Sequence, residues 1–168
     1  MSIGLHNERL LSIVLADQAD RKVQPSPEQW EEITLRDAER RCGVQEELCG
    51  GRVRTAYDFF NAALVMQHGT DLEEIRLAHA LATVSASMDS ASPQARQALW
   101  LKAASWDRMM RTLGRPQWYG TQLHRDNAGA VTLYEVDESA VTDADRVALS
   151  APTLAEARMQ AEQMSRAK

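Results

Sequence analysis

The stretch TAYDFFNAALVMQHGTDLEEIRLAHALATVSASM, residues 55–88, decides the fold. Its first half places Ala56, Phe60, Ala63 and Gln67 on one helical face and Tyr57, Leu64 and His68 on another, so an apolar stripe runs up to a polar end. Gly69 reads as the terminator, and Thr70 with Glu73 three residues on reads as the capping box of the next helix. The second half continues the stripe through Leu72, Ile75, His79 and Ala82, flanked by Leu77, Leu81, Val84 and Met88. A histidine thus interrupts an apolar face. Two amphipathic helices joined by so short a break need further helices to cover them, which points to a bundle.

Upstream, Leu10, Leu11, Val14, Leu15 and Gln18 share a face, predicting a helix over about residues 3–22. Ser26, Pro27 and Gln29 carry the N-cap, first-position proline and capping box of a second helix, expected to end near Cys42 with Gly43 as terminator. CGGRV then reads as a loop. Downstream, Ser92 and Pro93 start a fifth helix whose inward face is Leu99, Ala103, Trp106, Met110 and Leu113, with Gly114 as its stop. Asp126, Asn127 and Gly129 lie between two short β-favouring runs, predicting a hairpin or extended flap. Thr142 caps a short helix that Pro152 breaks, and Thr153 with Glu156 opens a last one striped by Leu154, Ala157, Ala161 and Met164. The expectation is a mainly all-α bundle of six or seven helices, one domain over 1–168, with a small irregular or β-hairpin insert near 117–136.

The 168 residues suffice to bury a core without metal or disulfide staples. A net charge of −5 with no basic stripe argues against nucleic acid or an anionic membrane as partner. No apolar run approaches a bilayer span, and MSIGLHNERLL has a polar break where a signal peptide needs its apolar core, so a cytoplasmic protein is expected. Cys42 and Cys49 are spaced for neither a zinc clip nor a secreted disulfide framework, and read as reduced thiols. Phosphate-loop, dinucleotide, zincin and nucleophile-elbow motifs are all missing, and His6, His68, His79 and His124 lack ligand spacing, so no cofactor or metal is expected.

Four polar groups stand out. Gln67 and His68 fall at a helix C-terminus, where an imidazole can bond the last carbonyls; the same residue type suits a general acid or base near neutrality. His79 on an apolar stripe suits a satisfied core histidine, or a base facing a cavity. Asp107 and Arg108 point in different directions from one helix; Asp107 can tie down a loop or orient a histidine from a neighbouring helix. QWYGTQ, residues 117–122, is the most specific: Gln117, Tyr119, Thr121 and Gln122 put amides and hydroxyls on non-helical backbone, and Gly120 allows a positive φ. Such a hexapeptide is either a site wall or a structural clasp.

With VMQHGTDLEEIRLAHALATVSA, AASWDRMMRTLGRPQWYGTQ and YEVDESAVTDADRVALSAP in view, the chain resembles an uncharacterised bacterial family, domain of unknown function 6624. QHG, AH-x-LA, DR and Q-x-YGTQ segments recur in that order in the family, and the resemblance runs from Asp17 to Pro152. It implies that Asp17, Gln18, Arg21, Gln67, His68, His79, Asp107, Arg108, Gln117, Tyr119, Gly120, Thr121 and Gln122 belong together; Trp118 stands where the pattern has a smaller aliphatic residue. The resemblance brings no activity with it.

Two functional expectations follow. The first is a small cofactor-free enzyme performing a hydrolytic, lyase or cyclisation step on a small molecule or short peptide. In it His68 transfers the proton, Asp107 orients it, and Tyr119 with Gln122 donates to a carbonyl or oxyanion, while Asp17, Gln18, Arg21, Gln67, His79, Arg108, Gln117 and Thr121 line the substrate site. The second is a binding module whose polar groups are an internal network and whose last helix docks a partner, a homodimer included.

Overall fold

A computed structural model describes residues 6–22, 26–89, 92–126 and 129–166. Among them the chain forms seven helices and one two-stranded sheet: α1 (Glu8–Lys22), α2 (Pro27–Cys49), α3 (Ala56–Met66), α4 (Leu72–Met88), α5 (Pro93–Thr112), β1 (Leu123–Arg125), β2 (Val131–Leu133), α6 (Asp143–Ala148) and α7 (Leu154–Arg166). This is the mainly helical bundle with a small hairpin insert that the punctuation predicts.

Caps set most of the boundaries. Ser26, Thr55, Asp71, Ser92 and Thr142 each accept the N3 amide of the helix they precede, a contact that contributes about 1 kcal/mol. α1 begins at Glu8, because Asn7 Oδ1 accepts the Leu10 amide; of the residues expected in this helix, those before His6 lie outside the described ones. α4 opens one residue later than Thr70 suggests: Asp71 is the cap, and Glu74 rather than Glu73 reaches back, to the Thr70 amide.

Gly43 does not end α2, which runs on to Cys49 with Gly50 as its C-cap. A Cβ at Gly43 would stand 2.9 Å from Ile13 Cδ1, so the missing side chain lets α1 approach α2. Cys42 and Cys49 are free, exposed thiols on α2. Of the face expected for α5, Ala103 and Met110 are buried and Trp106 packs against the cluster that holds Met110, joined by Ala98 and Leu101, whereas Leu113, past the last full turn, is exposed. Gly114 then takes φ 67°, the left-handed conformation that stops the helix.

The main core gathers Leu10 and Val14 of α1, Val44 of α2, Ala62, Ala63, Val65 and Met66 of α3, Ala78, Leu81 and Ala82 of α4 and Leu101 of α5. A fully buried leucine or methionine among these contributes roughly 1.5–3 kcal/mol. α3, α4 and α5 are joined by short turns and pack antiparallel in succession. Asn7 N donates to Asp58 and Asp17 bonds His68, both pairs 51 residues apart, so α1 runs parallel to α3. Three helices therefore point the same way, and their C-terminal ends, near Asp17, His68 and Arg108, lie together.

The hairpin pairs Leu123 with Leu133 and Arg125 with Val131 in antiparallel register. Asp126 shapes its turn by accepting the Ala130 amide, and Gly129 takes φ 88°; Asn127 lies outside the described residues. Leu154, Ala157 and Ala161 of α7 cover this sheet, and Ser165 Oγ accepts the Val131 amide at 2.6 Å. The stripe that could have docked a partner is thus used within the chain, and Met164 is left exposed.

Candidate functional site

QWYGTQ wraps a buried carboxylate. Asp107 is fully buried; its Oδ1 accepts the amides of Trp118 and Tyr119 at 2.8 and 2.9 Å, and its Oδ2 accepts the amide and hydroxyl of Thr121 at 2.9 and 2.8 Å. Gly120 turns the chain at φ 76°, a conformation that a Cβ disfavours, so that amides on both sides of it face inward. Gln117, also fully buried, closes the loop: its Oε1 accepts the Gln122 amide, and its Nε2 donates to the carbonyls of Gln122 and Tyr134. Gln122 Nε2 donates to Ala104 O while its Oε1 accepts from Arg111. Arg146, buried on α6, ties the far side down by donating to Trp118 O at 2.9 Å.

The hexapeptide is a clasp that fastens the hairpin and α6 onto α5. Asp107 therefore does not orient His68, a correction to its expected role: its oxygens accept from loop donors. Burial, then Asp107 and Asp145, push the Tyr119 phenol pKa upward while Arg146 opposes them. Thr121, Gln117 and Gln122 are engaged in the same clasp.

His79 takes the core role. Its Nδ1–H donates to Lys102 O at 3.0 Å, and its ring lies 5.5 Å from that of Trp106, which in turn contacts Trp118. Burial holds its pKa below the usual imidazole value, so the neutral ring is favoured.

His68 finds its carboxylate elsewhere. The fully buried Asp17 of α1 lies 3.0 Å from His68 Nδ1. Asp17 also holds Arg21 at 3.0 Å and accepts from Gln18 Nε2 at 2.7 Å, so side chains from one helix surround it. Arg21 reaches on to Asp37 of α2 at 2.7 Å. Gln67 is the C-cap of α3, and its amide donates to Ala63 O. In the turn that follows, Arg41 donates to His68 O and Arg108 to Gly69 O, each at 3.3 Å. Asp17, Gln18, Arg21, Gln67, His68 and Arg108 thus meet where α1, α3 and α5 end, with the His68 side chain 18% exposed.

Arg41, Glu74 and Asp37 complete this group and have no place among the residues expected from sequence. Arg41 is buried and bonds Glu74 at 2.7 Å. Their signal was the inward stripe of α2, where Ile33, Asp37, Arg41, Val44 and Glu47 are all buried; charged residues at core-facing helical positions mark an internal network. Reading α2 as ending at Gly43 cut off only its last members, Val44 and Glu47.

Among the described residues no group of three His, Cys, Asp or Glu side chains is placed to hold a metal ion, and no helix is long and apolar enough to cross a membrane. No protein-family model, curated protein or solved structure matches the chain.

Proposed function

We propose that the chain is a small enzyme that uses His68 as a general acid and base, oriented by Asp17, in a hydrolytic, lyase or cyclisation step on a small molecule or short peptide. The observation that carries this reading is the 3.0 Å bond between His68 Nδ1 and a carboxylate that is itself buried and fixed by Arg21 and Gln18. A carboxylate so placed selects the Nδ1–H tautomer. Nε2 then carries the lone pair. It removes a proton from water or substrate as the bond is attacked and returns it to the leaving group, so the ring ends as it began.

The test is turnover of a panel of small esters, amides and hydroxy acids by the wild type, His68→Ala and Asp17→Asn. A positioned acid–base group contributes about 10²–10⁴-fold, so His68→Ala should remove any activity found while the melting temperature stays nearly unchanged. Activity that survives His68→Ala contradicts the reading.

One observation favours a second reading, an interaction module. Trp100, Val147 and Met159 are exposed together along a groove of about 630 Å³ that also touches Ser150, the one described non-glycine residue with a positive φ. Under that reading a Val147→Ser, Met159→Ser double variant changes the sedimentation of the protein or its capture of a partner; under the enzymatic one it changes neither turnover nor mass.

A further inference from the structure

We infer that the His68 site takes a small molecule with an oxyanion head, a carboxylate or a phosphate, on an apolar body: the head pairs with Arg108 and the body lies in the groove between α3 and α5. This deepens the proposed function and rests on it.

The charge count around one turn leads there. Arg41 and Arg108 donate to consecutive carbonyls, His68 O and Gly69 O, so their guanidinium groups share the C-terminal end of α3. Arg21 joins them through Asp17, the residue that holds the His68 ring. Arg41 is matched by Glu74, and Arg21 by Asp17 and Asp37. Among the described residues no carboxylate lies within ion-pair distance of Arg108, and its bond to Gly69 O uses a single donor of the five that a guanidinium offers. Burial, and then the charges of Arg111, Arg21 and Arg41, work against its cationic form. A bound oxyanion removes that conflict and fits the planar fork in a bidentate way.

The apolar half comes from the helix periods. Phe60, Leu64 and His68 follow one another at four-residue steps along α3 and its last turn, and Leu101, Ala104 and Arg108 do so at three- and four-residue steps along α5. Phe60, Leu64, Trp100 and Leu101 line a groove of about 500 Å³, a volume suited to a small ligand. Because α3 and α5 run parallel, their C-terminal ends, which carry His68 and Arg108, lie beyond the Leu64 and Leu101 end of the groove. Gln18 connects the two parts, lining the groove and donating to Asp17. The cation at the other end, Arg96, is exposed to water, where an ion pair gains little.

Calorimetry with octanoate, octyl phosphate and octanol tests the assignment. At least one of the two anions should bind the wild type about tenfold or more tightly than octanol, and the one preferred identifies the head. The margin should vanish in Arg108→Gln and persist in Arg96→Gln and His68→Ala. Should Arg108→Gln fail to fold, the Arg108 Nε–H resonance of the wild type must shift on adding the preferred anion and stay in place with octanol. Equal binding of anion and alcohol, loss of the margin in Arg96→Gln alone, or no binding of either anion at millimolar concentration overturns the inference. A margin at Arg108 without any turnover sinks the acid–base reading and keeps the head site, whereas turnover that depends on His68 without such a margin does the reverse.

Discussion

Asp107 and Asp17 are both fully buried aspartates on helices, yet they are held in opposite ways. Asp107 accepts three backbone amides and one hydroxyl from a single loop, partners fixed by the path of the chain. Asp17 is held by an imidazole, a guanidinium and an amide, all side chains that can rotate, exchange protons or meet a ligand. A buried carboxylate surrounded by backbone donors builds structure. One surrounded by titratable and flexible donors can do chemistry, because its partners can change state without unfolding the fold around them.

Breaking the two aspartates separately should therefore give different signatures. The largest stability effect is expected for Asp107→Asn, which sets an amide N–H against inward-facing donors; a loss of about 3 kcal/mol or more should appear in denaturant melts. Asp17→Asn should cost only about 1–2 kcal/mol, because Arg21 keeps Asp37 and the Gln18 and His68 side chains can turn toward water. Equal losses for the two would erase the distinction drawn here.

A second contrast sharpens the first at a site built for stability alone. Hydrogen bonds from Arg52 and then Asn7 hold the Glu47 carboxyl at about 2, against the usual 4.5, with burial opposing them. Its folded-state pKa is depressed, so its stabilising contribution is present above the unfolded value and is lost as pH falls from about 5 toward 2. Glu47→Gln should cost about 1–3 kcal/mol at neutral pH and flatten the stability profile across that window. Urea melts at pH 7, 4.5 and 3 measure both; an unchanged slope with pH counts against the network.

Gly120→Ala comes next. It forces a Cβ into φ 76° inside the clasp and should cost about 1–2 kcal/mol by melting, although the nearest side-chain atoms, on Ala157 and Leu154, leave room at 3.7 Å. The smallest effect should come from His79. Burial lowers its folded-state pKa, so it favours folding above the unfolded value of about 6.5 and withdraws that support as pH falls below it; His79→Gln should remove this slope and leave any turnover intact.

Much of the fold was legible in the sequence because caps and apolar periods are local. Ser26, Thr142 and the Thr153–Glu156 pair announce their helices, and Asp126 with Gly129 announces the hairpin. Gly43 misled because a glycine inside a helix and one at its end look alike until the approach of Ile13 is seen. Of the residues that the resemblance groups, Asp17, Gln18, Arg21, Gln67, His68 and Arg108 meet at one end of the bundle, but their pairing was not legible. Whether Asp17 or Asp107 faces His68 depends on α1 running parallel to α3 across 51 residues, and no local pattern encodes that offset. Arg41 escaped notice for the same reason, its partner Glu74 lying 33 residues away on another helix.

The most direct test of the account is the tautomer of the His68 ring, read from long-range ¹H–¹⁵N correlations of the wild type and Asp17→Asn at a pH where the ring is neutral. The account predicts a protonated Nδ1 bonded to Asp17 and a free Nε2 lone pair in the wild type, with that preference lost in Asp17→Asn and kept in a folded Asp107 variant. A ring protonated on Nε2, or one indifferent to Asp17, would show that the pair does not set the chemistry of His68.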